Sequence, residues 1–197
     1  MQREGHYIAA HRVQSTVRMS TELRRLREKL CRELAQSEHD AVIQCAREAA
    51  RLRACPPAEK LRAIAAHAEH LRPRLDALLI PGQPIGIRVG RLVGEAFSGL
   101  RHFFFDRMLS AERSYRATLL GLQHGIDAAR LLRDVARREE LIRLFRFCDD
   151  LIAEREVLVR EAERALVWFA EHPEIAMASG ARIALGSGAA SPSVAHT

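Results

Sequence analysis

The chain has 197 residues, of which 48% are hydrophobic, 28% charged and 5% aromatic, and its formal net charge is +6 at pH 7. These values fit one globular domain with a buried core and are atypical of a disordered chain. Acidic residues interleave with the arginines, as at 137–140, and few aromatics stand beside them. This pattern indicates solvated helix faces and argues against a nucleic-acid partner. No apolar run has membrane-spanning length, so no membrane contact is expected.

The cysteines show no metal-binding or redox motif. They form no C-x-x-C pair and have no zinc-finger spacing to histidines. Because no signal-peptide core precedes them, we expect reduced thiols in a cytoplasmic protein. The four residues are Cys31, Cys45, Cys55 and Cys148.

The first half of the chain predicts two antiparallel helices. Met19-Ser20-Thr21-Glu22 is typical of a start followed by a helix cap, so residues 1–19 are predicted to form a flexible extension. Ser20 can cap a first helix over about 20–53, in which apolar residues recur at spacings of three, four and seven. A proline pair ends this helix and begins the second, over about 57–79. Pro73 is expected to kink the second helix.

The second half predicts two more long helices after a break at 81–86, which is rich in Pro and Gly. A short helix is expected over 90–105, and the third long helix begins at 111. The fourth ends at His172, although no Gly or Pro marks the turn between helices three and four. If the short helix spans the molecule, helices two and three run parallel. If it merges into helix three, the helices simply alternate in direction. The break and a capping Ser110 favour the crossover.

These elements predict an all-α fold: a four-helix bundle over 20–172 and a flexible tail over 173–197. Function in such a bundle is usually carried by polar residues that interrupt the apolar stripes. Glu38 falls near the centre of the first stripe, Glu112 at the edge of the third and Arg155 inside the fourth. His67 flanks the second stripe, whereas His70 lies further toward solvent.

This arrangement resembles the ferritin-like superfamily over residues 20–171. The resemblance rests on the inward Glu38, the run His67-Ala68-Glu69-His70, a long connection and the run Glu112-Arg113-Ser114-Tyr115. It implies a bundle with one long crossover and a di-iron centre. Such a centre takes single glutamates from two helices and a Glu-x-x-His from each of the others.

By position, Glu38 and Glu112 match the single glutamates, and His67 or His70 would supply a histidine. Helix two, however, carries His-x-x-His, and helix four carries Arg155 with no histidine before position 172. The resemblance therefore implies a bundle that is non-catalytic or that binds iron only partially.

Two other hypotheses stay open. Arg155 facing Glu38 and Glu112 would neutralise buried charge without metal, as in a helical interaction or scaffold module. An active iron-binding oxidase is the third hypothesis. No catalytic residue is assigned, because the chain has no nucleophile elbow, P-loop or dinucleotide-binding turn.

Two further segments suggest partners. The run Phe103-Phe104-Phe105 covers more than half of a helix's circumference, which predicts a homo-oligomer. The alternative is that this short helix lies wedged between two helices of the bundle. In the tail, Ile183 and Leu185 precede Gly-Ser in a segment that loosely resembles the docking peptides of ferritin-like cargo proteins held in encapsulin shells. That resemblance implies a shell or other partner protein bound through the tail.

Overall fold

A computed structural model describes the backbone of residues 2–79 and 109–179, and the side chains of 21–78 and 109–179. The described backbone is helical with short connections, and it contains no strand beyond an isolated bridge between Ser110 and Ser179. The all-α prediction is confirmed for these residues. The helices are α1 (Gln2–Leu52), α2 (Pro56–Leu79), α3 (Ala111–Arg138), α4 (Ile142–Arg164), α5 (Val167–Glu171) and α6 (Pro173–Ala176).

Helix α1 begins at Gln2, not near Ser20 as the sequence predicted. The prediction placed the start there because Met19-Ser20-Thr21-Glu22 is typical of a start followed by a helix cap. However, residues 2–19 contain no proline and only one glycine, so nothing in the local sequence stops a helix that forms further along. The helix ends at Leu52, where Arg53 adopts a left-handed conformation with φ 64°. Pro56 then starts α2, which continues through Pro73 to Leu79.

Side-chain contacts fix the direction of the four long helices. Arg27 in the middle of α1 bonds Glu139 after α3, whereas Arg51 at the end of α1 bonds the Ala111 carbonyl at the start of α3. Helices α1 and α3 are therefore antiparallel. Between α2 and α4, three pairs in reverse order show the same relation: Lys60–Glu161, His67–Glu154 and Arg74–Asp150.

Helices α2 and α3 consequently run in the same direction, as in the crossover alternative. Helix α1 packs against α2 and α3, and α4 packs against the same two helices. Helices α1 and α4 thus occupy opposite corners of the packed group, as do α2 and α3. The predicted helix at 90–105, the run Phe103-Phe104-Phe105 and the tail residues Ile183 and Leu185 lie outside the described residues.

One hydrophobic core lies between the four long helices. Each contributes fully buried aliphatic side chains, and burying one contributes about 1.5–3 kcal/mol relative to exposure. None of the helices in the described ranges is long and apolar enough to cross a membrane. Representative core residues are Leu34 in α1, Leu61 in α2, Ile126 in α3 and Leu151 in α4.

The turn between α3 and α4, which the sequence did not locate, is a Schellman motif without glycine. The Leu141 amide donates to the Ala136 carbonyl over 2.8 Å, and the Glu140 amide donates to the Arg137 carbonyl over 3.3 Å. Glu140 adopts the left-handed conformation with φ 59°. Glycine usually fills this position, so the sequence carried none of the usual signals for the turn.

Residues 173–179 are part of the packed structure and not of a flexible tail. In this segment α6 buries Ala176, and the Ala111 amide at the start of α3 donates to the Ala178 carbonyl over 3.0 Å. The prediction placed the end of the folded part at His172–Pro173 because proline ends a helix. Pro173 does end α5, but it also occupies the first turn of α6, where its missing amide costs nothing.

Candidate functional site

The most buried charges of the described residues form an ion pair that crosses the core. Arg155 of α4 donates from Nη2 to Glu38 Oε2 of α1 over 2.7 Å. Their exposed fractions are 2% and 3%, respectively. Since α1 and α4 stand at opposite corners, the pair bridges the interior and does not lie along one side of it. Both residues interrupt apolar stripes, as the sequence indicated.

His67 of α2 extends this ion pair to the surface. Arg155 Nε donates to His67 Nδ1 over 3.2 Å, and His67 Nε2 lies 2.7 Å from Glu154 Oε2. Because a guanidinium can only donate, Nδ1 must be the acceptor, which assigns the ring proton of a neutral imidazole to Nε2. The polar network therefore joins three helices through Glu38, Arg155, His67 and Glu154.

The network satisfies charges that would otherwise be costly to bury. A lone carboxylate or guanidinium in a core loses several kcal/mol of hydration, and a partner with good geometry offsets much of that loss. Glu38 supplies the opposite charge for Arg155, and His67 accepts from a second nitrogen of the same guanidinium. A buried pair of this kind is often no more stabilising than apolar side chains of similar volume, whereas removal of one partner leaves an unpaired charge in the core.

A second polar layer lies closer to the C-terminal end of α1. Glu48, a buried residue, accepts from Ser114 Oγ of α3 over 2.9 Å and from Arg51 Nη2 over 2.6 Å. The same Arg51 nitrogen donates to the Ala111 carbonyl over 3.3 Å. Again a buried carboxylate is matched by an arginine, and the layer links α1 to the start of α3.

Burial also suppresses the ionisation of neighbouring groups. Burial is the largest cause that raises the pKa of the Cys45 thiol, to about 12, although Arg155 nearby acts in the opposite direction. It likewise raises the pKa of Cys148 to about 12 and that of Cys31 to about 11. Tyr115 is buried, its pKa is raised, and its hydroxyl donates to the Ala162 carbonyl over 2.8 Å. Thiols that stay protonated are poor nucleophiles and poor metal ligands.

The four residues suggested as metal ligands do not converge. Glu112 lies in the first turn of α3, near the level of Arg51 and several turns from Glu38, and it pairs with Arg116. His70 is exposed, whereas His67 takes part in the Arg155 network. Among the side chains of residues 21–78 and 109–179, no three His, Cys, Asp or Glu groups are close enough together to hold a metal ion.

The ion-pair hypothesis joined Arg155 to both Glu38 and Glu112, and the structure brings only Glu38 to the arginine. Glu112 is set apart because the first turn of α3 lies beside the end of α1 and not beside its middle. Sequence reasoning missed Glu48, although it stands three residues after Cys45 and four before Leu52, on the apolar stripe of α1. It also missed Glu154, because an exposed glutamate beside a buried arginine has no distinguishing pattern.

Chemically, the arrangement offers paired charges and protonated thiols, and neither buried layer presents a free general base or an activated nucleophile. Its polar groups hold one another and link α1, α2, α3 and α4. In comparisons with known proteins, no protein-family model, curated protein or solved structure matches the chain.

Proposed function

We propose that the chain is a non-catalytic, ferritin-like four-helix bundle that serves as a helical interaction or scaffold module. The observation that carries this proposal is the position of Arg155. Its guanidinium lies inside the bundle and binds both Glu38 and His67, the two inward residues that would otherwise be free to bind a metal.

The direction of the helices supports the ferritin-like part of the proposal. Helices α2 and α3 are parallel and diagonal, so the end of α2 and the start of α3 lie at opposite ends of the bundle, as a long crossover requires. Ferritin-like bundles have one such long crossover, whereas bundles with short loops alternate in direction. The order of helix directions therefore supports the proposed resemblance alongside the residue pattern.

The donor set does not fit the di-iron centre of that superfamily. A di-iron centre needs glutamates and histidines from all four helices. Here α4 contributes a fixed positive charge at the centre of the network, and Glu112 of α3 is bound to Arg116 outside it. A dication beside the Arg155 guanidinium would meet electrostatic repulsion in a poorly solvated interior. The residues of this network are therefore unsuited to holding a di-iron centre.

Metal analysis of the full-length protein tests the proposal. The protein is purified from iron-supplemented cells, dialysed against a chelator and analysed for transition metals. We expect far less than one metal ion per chain, because Arg155 both repels a cation and binds its ligands. Two irons per chain that survive the dialysis would contradict the proposal.

Two variants distinguish the effect of the Arg155 charge on metal binding from the effect of a missing ligand at this position. Arg155→Glu places a third potential ligand beside Glu38 and His67, whereas Arg155→Met removes the charge without adding a ligand. Co²⁺ or Zn²⁺ should raise the melting temperature of Arg155→Glu and leave Arg155→Met and the wild type unchanged. Equal stabilisation of all three proteins would show that Arg155 does not control metal binding.

A further inference from the structure

The outward face of α3 carries two exposed leucines at a regular spacing. Leu120 is 72% exposed and Leu131 is 47% exposed. They are eleven residues apart, which is close to three full turns, so both point away from the core on the same side of the helix, about 16 Å apart. Both leucines leave apolar surface in contact with water, and a second helix packed along this line would cover the two side chains at once.

Two polar residues lie between the leucines on the same face, His124 and Asp127. His124 contacts Glu33 of α1 through Nε2, which leaves Nδ1 available, and its side chain is largely exposed. Asp127 accepts from Gln123 and Arg130 through Oδ1, so Oδ2 can accept a further hydrogen bond. Read along the helix, the face has the order leucine, histidine, aspartate, leucine.

We propose that this face binds a second copy of the chain, with the two α3 helices antiparallel about a two-fold axis between His124 and Asp127. In that arrangement Leu120 packs against the partner's Leu131, and His124 lies opposite the partner's Asp127. Two-fold symmetry repeats both contacts, so one face supplies both halves of the interface.

Charge complementarity favours this antiparallel arrangement over a parallel one. Parallel helices would also pair the leucines, but each Asp127 would then face the partner's Asp127, and like charges in contact are unfavourable. Helices that pack in the commonest crossing class diverge by about 50°. The contact is therefore confined to the three turns between the leucines, and the exposed Arg113 and Arg138 near the ends of α3 are kept away from each other.

An interface of this length is smaller than that of a typical obligate dimer. We therefore expect a reversible dimer that dissociates on dilution in the micromolar range. The contact does not depend on the role proposed for Arg155, because α3 presents this face on the side away from the core.

Sedimentation velocity over a dilution series tests the interface. Leu120→Glu and Leu131→Glu should each raise the dissociation constant roughly tenfold or more, since each variant places a charge in both symmetric leucine contacts. Val157→Glu on α4 is the matched control, because Val157 is also 47% exposed, and it should leave the dissociation constant unchanged. A monomer at all concentrations would overturn the proposal, as would a dimer insensitive to the two leucine variants.

Cross-linking tests the antiparallel register. Leu120→Cys and Leu131→Cys are prepared in a Cys31→Ser background, because the other native cysteines are buried. With diamide as the oxidant, the mixed pair should form an intermolecular disulfide faster than either variant alone. Faster cross-linking of either variant with itself would overturn the antiparallel arrangement, even if the dimer persisted.

Discussion

Gly121 and Gly125 lie one turn apart in α3 but have different surroundings. A Cβ atom at Gly121 would meet no neighbouring atom within 4 Å. At Gly125 it would overlap Ser37 Oγ and lie 3.3 Å from Ser37 Cβ, because α1 and α3 approach closely there. A helix is more stable with alanine than with glycine at an interior position, by up to about 1 kcal/mol, where no contact opposes the added methyl group.

We therefore expect Gly121→Ala to raise the free energy of unfolding by about 0.5–1 kcal/mol. Gly125→Ala should be less stable than the wild type. Ser37 Cβ is attached directly to the α1 backbone, so the two helices must separate to make room for the new methyl group. Urea unfolding of both variants measures the difference. Equal stabilisation by the two substitutions would show that α1 and α3 do not approach each other at this point.

The buried thiols predict that the protein loses stability at alkaline pH. In the unfolded chain a thiol has its ordinary pKa of 9.0, whereas burial raises that of Cys45 and Cys148 to about 12. Below pH 9 both states are protonated. Between pH 9 and the raised pKa only the unfolded state ionises, so each of these two thiols lowers the free energy of unfolding by roughly 1.4 kcal/mol per pH unit.

Urea unfolding at pH 8, 9, 10 and 10.5 measures this loss. Cys148→Ala should make the decline above pH 9 shallower than in the wild type, whatever its effect on stability at pH 8. An equally steep decline in this variant would mean that the Cys148 thiol is already ionised or exposed in the folded protein.

At the residue scale, the sequence predicted the inward position of Glu38 and Arg155 but not all of the residues with which they interact. Helical periodicity gives the side of a helix on which a residue lies, and it sufficed for these two. It does not give the height at which neighbouring helices meet. Glu112 was grouped with Glu38 for this reason, although the first turn of α3 lies beside Arg51.

At the scale of elements, the short helices after α4 hold the start of α3 in place. Ala176 is buried, and the Ala178 carbonyl accepts a hydrogen bond from the first residue of α3. Phe169 of α5 packs its ring against Tyr115 with 5.3 Å between the centroids. The end of the described chain thus covers the same end of the core as the Glu48 layer.

Truncation tests this role of the C-terminal segment. A chain that ends at Ser179 should unfold at the same urea concentration as the full chain. A chain that ends at His172 should be less stable by about 1–3 kcal/mol, because it loses the apolar contact of Ala176 and leaves the buried Ala111 amide without its partner. Equal stability of the two truncated chains would mean that residues 173–179 only lie on the surface.

The helix boundaries show which elements the sequence could predict. The end of α1 and the start of α2 were found because proline is a strong local signal. The turn after α3 was missed because Glu140 takes a conformation that usually requires glycine, and the tertiary contacts of Leu141 and its neighbours stabilise it. The start of α1 was misplaced because a polar sequence can extend a helix that packing has already formed.

At the scale of the whole molecule, the polar layers define how the four long helices pair. The Glu48 layer joins α1 to α3, and the Arg155 network joins α4 to α1 and α2. The sequence left the topology open between a crossover and an alternating bundle, since both bury the same stripes. Only the order of contacts along the helices distinguishes them.

Charge is distributed unevenly between the packed helices and the rest of the chain. Acidic and basic side chains are nearly equal in number within 21–78 and 109–179, so most of the net charge of +6 belongs to the remaining residues. The packed helices therefore present mixed charges to solvent, and most of their surface ion pairs contribute little stability individually. The buried pair is the exception, because neither partner can be hydrated if the other is removed.

Glu38 and Arg155 form a structural pair, and a double-mutant cycle tests their interdependence most directly. Free energies of unfolding in urea are measured for the wild type, Glu38→Gln, Arg155→Met and the double variant. Each single variant should lose about 3–5 kcal/mol, because it leaves a buried charge unpaired. The double variant should lose clearly less than the two losses combined, with a coupling above about 1.5 kcal/mol. Additive losses would contradict the account, since they would mean that the two charges do not depend on each other in the folded protein.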